Sequence, residues 1–273
     1  MDTDTTETPR RNIKLVIAYD GQAYHGWQRQ AAGIDTVQER IETAASAVLR
    51  HPVTVHGAGR TDAGVHADGQ VANLRTANPA VPLVGLRRAM NSRLPGDIAV
   101  RSASLVPDGF HASISAIGKT YRYRIHVSPR KCIHRDGRVY RYFKPLDTDL
   151  MRRAARRLIG THDFRSFATS AEIRENTVRT IFRCDVAEAD DEIHVTVQGD
   201  GFLYNMVRII VGTLMDVGRG HWSPERIDEI LVGCDRRLAG PTAVPDGLTM
   251  VCVHYRPEDL TIRQESPPQS GNP

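Results

Sequence analysis

Residues 56–70, HGAGRTDAGVHADGQ, gather the side chains most suited to chemistry in this chain. Gly57, Gly59, Gly64 and Gly69 place four glycines in fifteen residues, which argues against regular helix and for tight or close-approach backbone. Among them stand His56, Arg60, Asp62, His66 and Asp68. A dinucleotide-binding fingerprint is the weakest reading, because Gly57-Ala58-Gly59 lacks a third glycine and no amphipathic helix follows. Asp62, His66 and Asp68 are metal-ligating types, but Gly64 spoils the helical i, i+4 register that would converge Asp62 and His66. A third reading is a single reactive carboxylate on a stiff loop. In extended backbone residues i and i+2 point to one side, so Arg60 and Asp62 would address one substrate. The architectural alternative is an Asx-turn made by Asp62, with Arg60 simply on the surface.

Two further positions stand out against their surroundings. Tyr121, Tyr123, Ile125 and Val127 alternate with Arg122, Arg124 and His126, the pattern of a strand with one apolar and one cationic face. Packing alone accounts for the tyrosines, and a solvated edge accounts for the arginines. Arg208 lies within a largely apolar helix expected from Phe202 to Val217, where a charge needs a partner.

The elements that must carry these residues read as a repeated order. Residues 13–19 suit a strand, and Thr36-Val37-Gln38-Glu39 has the T-x-x-E form of a capping box ahead of Val37, Ile41, Ala44, Ala45 and Val48 at helical spacing. Strand-like flanks at 52–56 and 70–76 bracket the glycine-rich stretch. Pro82 opens a helix with Leu83, Leu86, Met90 and Leu94 on one face, and residues 97–105 return to strand. The second half repeats this with a strand at 121–127, a helix at 148–159, strands at 178–187 and 192–198, the apolar helix, a short helix from Ser223-Pro224-Glu225, and a strand at 248–255. Two β-α-β-β-α-β units predict an α+β fold of two ferredoxin-like halves, whose sheets join edge to edge. The expected division is a tail at 1–11, an N-terminal half carrying the Asp loop at 12–117, a C-terminal ferredoxin-like half at 118–257, and a tail at 258–273.

Composition narrows the function classes. The chain has 273 residues, 40% hydrophobic and 25% charged, which excludes a disordered chain, and no apolar run approaches the ~20 residues of a membrane span. MDTDTTETPRRN lacks the apolar stretch of a signal peptide, so a cytoplasmic protein is expected. Cys132, Cys184, Cys234 and Cys252 are widely spaced, which favours thiols over a disulfide framework or a zinc site. Between Lys119 and Arg157 there are 13 Lys or Arg against 3 Asp, a local net of 13 − 3 = +10, while the whole chain is only +4. Such a concentration suits a polyanionic partner.

The run Gly59-Arg60-Thr61-Asp62-Ala63-Gly64-Val65-His66-Ala67 resembles the signature of the tRNA pseudouridine synthase A (TruA) family. Further blocks agree in order: Tyr19-Asp20-Gly21 with Tyr24-His25-Gly26-Trp27-Gln28-Arg29-Gln30, Asn91-Ser92-Arg93-Leu94-Pro95 with Asp97-Ile98, Phe110-His111-Ala112, and Lys119-Thr120-Tyr121-Arg122-Tyr123. Asp163-Phe164 with Ser166-Phe167, and Met206-Val207-Arg208 with Val211-Gly212, extend the likeness, which spans about residues 12–255. The resemblance implies that Asp62 is the catalytic aspartate, that Arg208 pairs with it, that Tyr121 is the active-site tyrosine and that Arg60 helps hold a flipped-out state. Phe110, His111, Arg122 and Arg124 are the RNA contacts expected beside them. It further implies two ferredoxin-like halves in a mixed, largely antiparallel sheet, with helices on one face and an RNA-binding cleft on the other. A homodimer without metal or other cofactor is implied, acting on uridine in the anticodon arm of tRNA at positions 38–40. Ser113 and Ala168 stand where arginine is common in the family, and Val244-Pro245 departs from its usual pattern, which bears on RNA contacts rather than on Asp62.

Overall fold

The computed structural model describes residues 11–131, 133–169 and 176–260. The first half follows the expected order. Strand β1 (Arg11–Tyr19) buries Ile13, Leu15, Ile17 and Tyr19 on one face, as the period of two demands. Helix α1 (Val37–Leu49) buries Val37, Ile41, Ala45 and Leu49. Strands β2 (Val55–Gly57) and β3 (His66–Thr76), helix α2 (Leu83–Asn91) and strand β4 (Ile98–Val106) complete the unit. Its strands lie in the order β4-β1-β3, with β2 on the far side of β3, the arrangement of a ferredoxin-like half.

The second half contains β5 (Gly118–Val127), β6 (Tyr140–Tyr142), α3 (Thr148–Arg157), β7 (Gly160–Asp163), β8 (Val178–Ala189), β9 (Glu192–Gly199), α4 (Met206–Gly218), α5 (Arg226–Gly233) and β10 (Leu248–His254). Here β10-β5-β9-β8 repeats the same order, β7 extends the edge beyond β8, and β6 pairs parallel to the end of β5. Strands β6 and β7 are too short for a periodicity to announce them.

The halves join through a short parallel pairing, Thr249 opposite His66 and Met250 opposite Ala67. Register then carries one ladder across both halves: Tyr19, Ala67, Met250, Tyr121, Val197 and Cys184 are successive cross-strand partners, and all six are buried. Apolar residues from each of the five helices pack in the same buried cluster as this ladder. The ten strands described thus form a mixed, mainly antiparallel sheet with one dominant apolar face.

Several boundaries move for physical reasons. Thr36 makes no side-chain cap on α1, so the capping box does not form. Instead the Gly26 and Trp27 carbonyls accept from the N–H groups of Val37 and Gln38 at 3.2 and 3.0 Å, satisfying amides that a cap would otherwise serve. Strand β3 begins at His66, four residues before the expected start, because its first residues gain β10 as a partner. Helix α4 starts at Met206 rather than Phe202, since Asn205 adopts φ +61°. Arg11, expected in the tail, pairs with Thr76 in the sheet, and residues 257–260 form a short 3-10 turn. The remainder of both tails and Cys132 lie outside the described residues. Cys184 is buried, while Cys234 and Cys252 are partly so, all three free thiols. Among the described residues no helix is long and apolar enough to cross a membrane.

Candidate functional site

The loop between β2 and β3, residues 58–65, sits where the two halves meet, and it is clamped from three sides. Below it, the buried Gln70 donates from Nε2 to the Gly59 carbonyl at 2.8 Å. The buried Tyr19 hydroxyl meets Thr61 Oγ1 at 2.8 Å. Beside it, Trp27 N–H donates to the Thr61 carbonyl at 3.1 Å and Gly64 N–H to the Tyr24 carbonyl at 3.3 Å. Within it, Val65 N–H donates to the Asp62 carbonyl at 3.1 Å. The flanks of Asp62 are therefore held by hydrogen bonds that are nearly all tertiary.

Gly26 makes the lateral clamp possible. It has φ +90°, and a Cβ there would stand 2.6 Å from the Thr61 carbonyl oxygen. Gly26→Ala is expected to lower stability by roughly 1–3 kcal/mol through overpacking and left-handed strain. Gly96→Ala, where a Cβ meets nothing within 4 Å, is expected to be neutral or slightly stabilising. Urea unfolding of the two variants measures the contrast, and equal midpoints would contradict the clamp.

His66 knots the loop to the rest of the chain. Its Nδ1 accepts from Gly21 N–H at 3.1 Å, while Nε2 lies 2.9 Å from the Gly137 carbonyl and 3.2 Å from that of Asp246. Carbonyls only accept, so Nε2 carries the proton. Asp68 is exposed and faces Arg101 at 3.6 Å. The Asp62, His66 and Asp68 side chains do not converge as a metal site would require, and no group of three or more His, Cys, Asp or Glu that could hold a metal occurs among the described residues.

Asp62 and Arg208, 146 positions apart in sequence, meet across the joint. Arg208 on the first turn of α4 reaches Asp62 Oδ2 from NH1 at 3.2 Å. The same guanidinium donates to Asn205 Oδ1 at 2.8 Å and, through Nε, to the Ala243 carbonyl at 2.7 Å. With side chains 22% and 16% exposed, the pair is shielded yet open to a ligand. Tyr121 lies in the ladder beside them and packs edge-on against Phe202, ring centroids 5.1 Å apart at 84°. Burial, followed by Tyr19 and the Asp62 charge, pushes its phenol far above the ordinary range.

Burial also pushes the Tyr19 phenol from 10.0 up to about 12, and raises Tyr123. A raised native pKa means the unfolded chain releases the proton first, so stability is fully present below pH ~10 and falls as pH rises toward 12. Urea midpoints between pH 8 and 11 are expected to drop only at the alkaline end. A flat profile would show these phenols to be solvated in the native state.

Around the pair opens a cleft of about 1000 Å³. Its lining includes Arg60, Asp62, Tyr121 and Arg208, together with His111. The lining draws on Tyr121 of the apolar ladder, Gln38 of α1 and Met206 of α4. Three expected RNA contacts fall outside the cleft. Phe110 packs against Tyr255 at 5.0 Å between ring centroids, in a separate small cluster. Arg122 is exposed but alternates away from Tyr121. Arg124 is held by Glu192 through two bonds of 2.7 and 2.8 Å.

Lining residues that pattern reading passed over include Trp27, Lys119, Phe202 and Asn205. Two had a local signal, Lys119 two residues before Tyr121 on a strand and Asn205 three before Arg208 at a helix start. Among the described residues Asp62 is the single carboxylate in the lining, against Arg60, Lys119 and Arg208. With Arg208 facing Asp62, the cleft keeps a net positive charge, which favours a polyanion.

Comparison with known proteins agrees with this chemistry. A family model described as tRNA pseudouridine synthase matches residues 15–113 and 154–256. A tRNA pseudouridine synthase A from Syntrophotalea carbinolica is 45% identical over 247 residues, 90% of this chain and 97% of that protein. Proteins of the same name from Brevibacillus brevis and Acetivibrio thermocellus are each 44% identical over 245 residues, covering 90% of this chain and 100% of theirs.

Proposed function

This chain belongs to the tRNA pseudouridine synthase family, a family of isomerases, and from that premise we propose that it acts in the anticodon arm, at positions 38–40, through Asp62 and without a cofactor. The observation that carries this reading is a carboxylate faced by a guanidinium at 3.2 Å, in a cleft whose other charged lining residues, among those described, are Arg60, Lys119 and Arg208.

Making pseudouridine breaks the N1–C1′ bond, turns the uracil and joins C5 to C1′; N1 gains a proton and C5 loses one. No water is consumed, so one carboxylate suffices where a glycosidase needs two. Asp62 either attacks C1′ or removes the C2′ proton to give a glycal, and both routes call for an ionised oxygen within reach of the ribose. Arg208 supports this by orienting Oδ2. Tyr121, a phenol kept protonated by burial, orients the uracil and holds its proton rather than acting as a base near neutral pH. The target base must leave its stack at a cost of a few kcal/mol. Arg60, exposed at the rim two residues from Asp62, is suited to fill the space it leaves.

The same reading carries a cytoplasmic homodimer, with Asp62 in the half proposed at 12–117 and Arg208 in the half at 118–257. Sedimentation of the purified protein tests the dimer. Nucleotide-resolution mapping of pseudouridine on tRNA, with and without the protein, tests the activity and its position. Protein-dependent signal at 38–40 is expected, and its absence there would end the assignment to the anticodon arm.

A further inference from the structure

The turn that leads into α4 brings a second tyrosine to the cleft. Trp27, Tyr121, Phe202 and Tyr204 all belong to its lining. Trp27 and Tyr121 are buried, and Phe202 is half-buried against the edge of Tyr121. Tyr204 differs from them in being 45% exposed. Its backbone is fixed nonetheless. Leu203 and Met206 on either side of the turn are buried, and Met206 N–H donates to the Leu203 carbonyl at 3.1 Å. The Tyr204 carbonyl accepts from Thr169 N–H at 3.4 Å, and Asn205 Nδ2 donates to Thr169 Oγ1 at 2.9 Å. Asn205 Oδ1 accepts from Arg208 at 2.8 Å, so the turn that presents Tyr204 also steadies the guanidinium facing Asp62.

We propose that the Tyr204 ring is a stacking platform for the RNA base next to the extruded uridine. The inference rests on the pseudouridine synthase reading of the cleft and adds a contact beyond the reacting nucleoside. Extrusion of one base takes away the stack its neighbour had, and an aromatic ring restores a flat apolar surface to it. A ring on an anchored turn has only its own torsions left to lose when a base covers it. The occupant is a base of RNA because the same lining carries the Arg60 and Arg208 guanidinium groups, and a strand is held by positive charge along its backbone together with rings under its bases. A cleft of about 1000 Å³ is also large for a single small molecule. Every base has a π-face, so the platform tolerates any base at that position.

The test uses the full chain and a stem-loop RNA centred on a tRNA uridine that the wild-type chain converts, with affinity read by filter binding. Tyr204→Ala is expected to weaken binding roughly 5- to 100-fold, the scale of one lost base–aromatic stack. Its urea midpoint is expected to stay near wild type, since the ring is exposed. Tyr204→Phe keeps the ring and is expected to bind within about twofold of wild type. RNAs carrying one abasic nucleotide at each position in turn locate the contact. An abasic site beside the target uridine is expected to weaken binding to wild type and to leave Tyr204→Ala unaffected. Each protein is compared with itself on intact RNA, so this arm holds whatever the substitution does to stability. Wild-type affinity in Tyr204→Ala, abasic losses equal in the two proteins at every position, or coupling at the target uridine instead of beside it would overturn the platform. Failure of the underlying reading looks different, because the wild-type chain would then form no pseudouridine in tRNA at all.

Discussion

Replacing Asp62 by Ala is expected to lower pseudouridine formation by about 10⁴-fold or more, the scale on which removal of a covalent or proton-abstracting group acts when no neighbour can substitute for it. Among the described residues the cleft has no second carboxylate in its lining. Binding of tRNA is expected to survive and even to strengthen slightly, because the substitution deletes a negative charge facing a polyanion. The loop itself has reason to persist: its clamps involve the Thr61 side chain and the Gly59, Thr61 and Asp62 backbones, rather than the Asp62 carboxylate. Single-turnover formation of pseudouridine, read beside filter binding of the same tRNA, separates the two effects. Turnover within tenfold of wild type would sink the assignment of Asp62.

The second large effect concerns Arg208. Arg208→Met removes the guanidinium from Asp62 and also leaves Asn205 Oδ1 and the Ala243 carbonyl without the donor seen here. A loss of roughly 10²–10³ in rate is expected for removal of a preorganised charge from a site of this kind. Stability is expected to fall by about 1–3 kcal/mol, less than for a fully buried pair because both side chains keep contact with solvent. Arg208→Lys keeps the charge but not the three-pronged geometry, so it recovers part of the stability and little of the rate. The decisive comparison is a cycle with Asp62→Asn. If the two groups interact, Arg208→Met costs measurably less stability in that background than in wild type. Urea unfolding of the four proteins gives the coupling, and costs that add within about 0.5 kcal/mol would mean the pair does not interact.

The elements were legible where hydrophobic period and length agreed. Ile13, Leu15, Ile17 and Tyr19 alternate and are buried as a strand face, while Val37, Ile41 and Ala45 recur at helical spacing and are buried as a helix face. The doubled β-α-β-β-α-β order follows from those local signals. The capping box at Thr36 misled because α1 takes its cap from the Gly26 and Trp27 carbonyls, a partner nine or more residues upstream that no local motif encodes. The cationic face of β5 misled for the same reason: Arg124 looked available until β9 brought Glu192 alongside it.

Residue types and spacing alone offered Asp62 as one candidate for a reactive carboxylate, and gave the glycine richness of its loop, the need of Arg208 for a partner, and the concentration of positive charge between Lys119 and Arg157. These depend on covalent geometry, solvation and local period, which the chain carries with it. Tertiary structure decided which acid Arg208 meets, and that Arg60 and Tyr121 line one cleft with that pair. Those outcomes hang on a parallel pairing of two residues between β3 and β10, and contacts between positions so far apart are chosen by the packing of the whole sheet rather than by any neighbour in sequence.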